Sequence, residues 1–90
     1  MRHSSAGEDY KLVPGLALPA GWAAELRKLL DRISDADTVV NCLLAQERAE
    51  GVVQGFELAG AQDAATIERL YLLIDAAAQA RLQPLVGDAG

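Results

Sequence analysis

The 90-residue chain has little of most things that carry chemistry. Cys42 is its one cysteine, so no disulfide can close within the chain. His3 is its one histidine and lies far from Cys42, which argues against a structural zinc site and leaves no base beside a nucleophile. Aromatic residues make up 4% of the chain. Positive charge is short too: eight Lys and Arg stand against thirteen Asp and Glu, a net charge of −5. That balance argues against nucleic acid, whose phosphates are neutralised by basic surface, and against an anionic membrane. No apolar run approaches the roughly 18–20 residues of a membrane span.

Other motifs are missing as well. The opening "MRHSSAGEDYKLVPG" has no apolar stretch of the kind a secretory signal needs. With an unpaired cysteine, this predicts a cytoplasmic location. Glu47 and Glu50 are followed by no histidine in the pattern of di-iron helices. The glycines fall inside a helical pattern rather than between a strand and a helix, so no phosphate loop is read. Catalytic residues, cofactor and metal are therefore all expected to be absent, and the chain is not read as an enzyme.

What is present points to helix. Hydrophobic residues make up 51% of the chain. Alanine and leucine dominate, and β-branched residues do not alternate with polar ones. Residues 1–18 read as a mobile leader and an extended apolar arm. In the arm, Tyr10, Leu12, Val13 and Leu16 lie among the breakers Pro14, Gly15 and Pro19. The arm is either a strap over its own core or a contact for a partner. Residues 19–83 read as a three-helix domain, and 84–90 as a frayed tail.

Helix 1 should begin near Pro19 or Ala20, with Trp22, Leu26, Leu29, Leu30 and Ile33 at helical spacing. "ISDADTVV" then interrupts the pattern. Ser34 or Asp35 is the expected cap of a second helix over about Ala36 to Ala59, with a continuous helix through Ser34 as the alternative. Its apolar face is assigned to Val39, Val40, Leu43, Leu44, Val52, Val53 and Phe56, and Gly60 is its stop. Asp63 caps helix 3, over about Ala64 to Gln83, with Pro84 and Gly87 ending it. The short connection predicts that helices 2 and 3 are antiparallel neighbours.

Two features ask for close contacts. Around "LYLLI" helix 3 is apolar nearly all round, and such a helix is buried on more than one side. A two-helix hairpin cannot do that, but a four-helix bundle made from two hairpins can. Ile67, Leu70, Tyr71, Leu72, Leu73 and Ile74 are therefore the expected dimer interface. Gly51, Gly55 and Ala59 fall four residues apart on one face and should admit another helix closely. The candidate partner contacts are Tyr10, Leu12, Val13, Leu16, Val53 and Phe56. Asp35, Asp37, Glu47, Glu50, Glu57 and Asp63 crowd one span and read mainly as a solvated face.

The run "NCLLAQERAEGVVQGFELAGAQDAATIERLYLLIDAAAQARL" resembles the QslA-like quorum-sensing anti-activators, small helical-hairpin proteins of pseudomonads and their phages. The likeness covers about Asn41 to Leu82 and rests on general hairpin character, without a diagnostic motif. It implies a homodimer that binds a LuxR-type transcriptional regulator such as LasR and blocks its dimerisation and DNA binding. A structural or assembly adaptor is the alternative function. The expected fold is all-α: a short helix, then a long antiparallel hairpin, dimerising into a four-helix bundle.

Overall fold

A computed structural model of the chain describes residues 18–60 and 62–89. The expected leader and the arm residues Tyr10, Leu12, Val13 and Leu16 lie outside the described residues. The described chain is all-α, with no strand. Its helices are α1 (Ala20–Asp35), α2 (Val39–Ala59) and α3 (Ala64–Ala89), and each packs on both of the others.

Helix α1 starts where proline allows. Pro19 takes the N-cap position, and its carbonyl accepts from Ala23 N–H at 2.9 Å. The helix stops at Ala36, whose backbone turns extended (φ −60°, ψ 135°). The break expected near Ser34 is thus present, but the cap lies further on. Thr38, not Ser34 or Asp35, caps α2: its Oγ1 accepts from Asn41 N–H at 3.0 Å. Asn41 Nδ2 also donates to Asp37 Oδ1 at 3.0 Å. Helix α2 therefore starts at Val39 instead of Ala36. Ala36 is held in the corner itself: its carbonyl accepts from Arg81 Nε of α3 at 2.7 Å.

The other boundaries follow local chemistry. Gly60 ends α2 with a left-handed φ of 67°, a region glycine enters without a Cβ penalty. Asp63 caps α3: its Oδ1 accepts from Thr66 N–H at 2.8 Å and its carbonyl from Ile67 N–H at 3.1 Å. Pro84 does not stop α3, contrary to expectation; the helix runs on to Ala89. Pro84 lacks the N–H that would bond the Ala80 carbonyl, but that turn faces solvent, where water can take the acceptor. Leu82 and Leu85 pack on the core on either side of the proline, which favours an unbroken helical path.

Each helix gives one stripe to the core. Ala23, Leu26, Leu29 and Ile33 come from α1, Cys42, Ala49, Val53 and Phe56 from α2, and Ile67, Leu70, Ile74 and Ala78 from α3. Leu26, Ile33, Val53, Leu70 and Ile74 are fully buried, and each such side chain contributes roughly 1.5–3 kcal/mol of hydrophobic burial. No polar or charged residue is buried among the described residues. Ala49 and Ala78 are small, which lets their helices approach closely.

Candidate interaction surfaces

The core leaves a definite remainder outside. Six large apolar side chains stand exposed among the described residues: Val40, Leu43, Leu44, Leu58, Leu72 and Val86. Four of the six belong to α2. At 100° per residue these four lie within about 70° of the direction opposite Cys42, Ala49, Val53 and Phe56. Helix α2 is therefore apolar on two faces, and its periodicity alone cannot say which one turns inward. The sequence assigned Val40, Leu43 and Leu44 to the inner face; the structure exposes them. Their bulk is replaced in the core by Cys42 and Ala49, which allow a nearer approach of α1 and α3.

The outer face has a graded profile. Val40 (64% exposed) and Leu44 (58%) stand at one end and Leu58 (87%) at the other. Gly51 and Gly55 lie between them, also exposed, and a Cβ built on either meets nothing within 4 Å. Ala59 is exposed as well. The close packing expected of these small residues, in the hairpin or across a dimer, is not made inside the single chain: among the described residues nothing sits against Gly51 or Gly55.

Two other expected contacts are core instead of surface. Val53 is fully buried, and Phe56 stacks on Trp22 with ring centroids 4.3 Å apart. Neither is free to meet a partner. The set expected at a dimer interface divides in the same way. Ile67, Leu70 and Ile74 are buried within the single chain, Tyr71 and Leu73 are half-buried, and Leu72 is exposed. Three of the six are occupied because α3 packs on both α1 and α2 within the single chain.

Tyr71 and Leu72 edge a second surface. A cavity of about 470 Å³ lies beside the α2–α3 connection, with Ile67, Tyr71 and Leu72 among its walls and Glu57 and Glu68 at its rim. Tyr71 Oη donates to Glu57 Oε1 at 3.3 Å. Partial burial raises the phenol above its usual value of 10.0, helped by the nearby Glu57 carboxylate and the hydrogen bond to it. A larger groove of about 780 Å³ runs along the α1–α2 corner. It mixes Arg32 and Arg48 with Asp35, Asp37 and Glu47, so it favours neither sign of ligand.

The acidic residues of the sequence are mostly engaged locally. Asp37 holds Asn41, Glu50 accepts from Gln46 at 3.5 Å, Glu57 holds Tyr71, and Asp63 caps α3. They make no single acidic platform. Among the described residues no group of three His, Cys, Asp or Glu converges to hold a metal. Cys42 is fully buried, its Sγ 3.9 Å from the Ala78 carbonyl, as expected of a small core residue. No described helix is long and apolar enough to cross a membrane.

No protein-family model matches the sequence, and no curated protein or solved structure matches it either.

Proposed function

We propose that the chain is a binding protein that self-associates and acts by occupying the surface of another protein. The observation that carries this reading is the surplus apolar surface left by the core, above all the outer face of α2. Large apolar side chains clustered on an exposed helix face, as Val40, Leu43 and Leu44 are, favour contact with another protein. The partner implied by the sequence resemblance is a LuxR-type transcriptional regulator, held away from its own dimerisation and from DNA. The assembly proposed for the active form is a homodimer, with α2 and α3 as the antiparallel hairpin of each copy and the two copies meeting through apolar surface that the single-chain core leaves outside.

Co-purification of the tagged chain with the ligand-binding domain of a LuxR-type regulator tests this. A stable complex, together with loss of the regulator's dimer, is the expected result. Absence of any complex at micromolar concentrations of both proteins would remove the anti-activator reading.

A second reading has its own support. The α2 face and the Tyr71–Leu72 cavity are two separate surfaces, which suits an adaptor joining two different proteins. Simultaneous binding of two unlike partners, seen as a ternary complex by light scattering, would favour it.

A further inference from the structure

We infer that the outer face of α2 is the seam along which two copies of the chain associate, with the two helices antiparallel. The inference rests on the self-association proposed above and assigns it to the face of α2 that carries Gly51, not to α3.

The seam has the right period. Val40, Leu44, Glu47, Gly51, Gln54 and Leu58 follow one another in steps of four, three, four, three and four, and all six are exposed. Such a 3.5-residue repeat keeps one line of an α-helix facing a neighbouring helix. The line is about 27 Å long at 1.5 Å per residue.

Its profile is self-complementary. Large apolar residues stand at both ends and glycine in the middle. An antiparallel second copy in full overlap sets Val40 beside Leu58 at one end and Leu58 beside Val40 at the other. Residues 47 and 51 then face each other across the crossing. Gly51 leaves room there for the Glu47 stem to run out toward solvent, and Leu44 of each copy lies against the aliphatic stem of the other copy's Gln54. A two-fold interface uses the same patch on both partners, which this gradation of size satisfies.

The area suffices for a dimer. At roughly 100 Å² of apolar surface for each large aliphatic side chain, Val40, Leu43, Leu44 and Leu58 offer about 400 Å² per copy. Doubled, and with the glycine backbone and the Glu47, Arg48 and Gln54 stems added, this reaches the roughly 1,000 Å² that a specific association needs. A small chain with a thin core gains most from such a partner.

The test is the solution mass of four proteins by light scattering at 100 μM: wild type, Gly51→Lys, Leu44→Asp and Leu72→Asp. Every one of these side chains is exposed in the single chain, and lysine is a better helix former than glycine, so circular dichroism should stay helical throughout. Wild type and Leu72→Asp are expected at twice the 9.5 kDa chain mass. Gly51→Lys and Leu44→Asp are expected at the single-chain mass. A wild-type dimer that survives Gly51→Lys and Leu44→Asp but is lost in Leu72→Asp would overturn the inference and move self-association to α3. A monomeric wild type would overturn it together with the self-associating half of the proposed function. Regulator capture, measured separately, would still decide the other half. A monomeric wild type whose regulator binding is lost in Gly51→Lys would give the seam to the regulator instead.

Discussion

Trp22 of α1 and Phe56 of α2 stack face to face, their rings inclined by 6° with centroids 4.3 Å apart. The pair joins the start of α1 to the last two turns of α2. Replacing Phe56 with Ala should cost about 3 kcal/mol or more, because a buried ring leaves a cavity and the stacking is lost as well. Urea unfolding followed by Trp22 fluorescence measures this directly, since Trp22 is the chain's one tryptophan. A loss below about 1 kcal/mol, the scale expected of a surface change, would show that Phe56 is not core.

The glycines of α2 should divide into two kinds. Gly51→Ala meets open space at a helical position, so it should stabilise the helix by about 1 kcal/mol. Gly60→Ala places a Cβ at φ 67° and should destabilise by about 1 kcal/mol or more. Urea midpoints of both variants at low protein concentration, where association contributes least, decide the matter. Equal effects of one sign would contradict the assignment.

Asp63 ties its cap to pH. The hydrogen bonds from Thr66 hold its carboxyl below the ordinary value of 3.8. A depressed carboxylate contributes stability that is fully present above its unfolded value and is lost as pH falls through the folded one. Asp63→Ala should therefore lower the melting temperature at pH 7. The gap from wild type should close as pH drops from about 4 toward 2, the window set by a carboxyl ordinarily at 3.8 and here held lower. A constant gap across that range would separate the cap from its charge.

Tyr71 gives the opposite case. Its phenol is raised above 10.0, first by partial burial and then by Glu57. A raised acid contributes stability below its unfolded value, and that contribution is lost as pH climbs through the folded one. In a Tyr10→Phe background, absorbance at 295 nm follows Tyr71 alone, since the chain has two tyrosines. The transition should fall above pH 10, and Glu57→Gln should lower it. An unchanged midpoint in Glu57→Gln would remove the carboxylate as a cause.

Helix content, a break close to Ser34, the Gly60 stop and the Asp63 cap were all legible in the residues, because each depends on chemistry within one helical turn. The α3 stripe of Ile67, Leu70 and Ile74 was legible as apolar, but its destination was not. The residues that cover it come from both α1 and α2, and local spacing carries no information about a distant cover. The same limit misplaced Val40, Leu43 and Leu44. With apolar residues on both sides of α2, the choice of inner face depended on how closely Cys42 and Ala49 let the neighbouring helices come. Pro84 misled for a related reason: its local penalty is real, but Leu82 and Leu85 hold the helix to the core on either side of it.

The corner between the first two helices depends on a residue far downstream. The Ala36 carbonyl is satisfied by Arg81, 45 positions later. During synthesis Arg81 cannot serve that oxygen until most of the third helix has been made. A product ending at residue 80 would keep the inward stripes of the first two helices and most of the third, yet lack the guanidinium that locks the bend. A bend made early in the described chain thus takes its fastening from a helix made well after it.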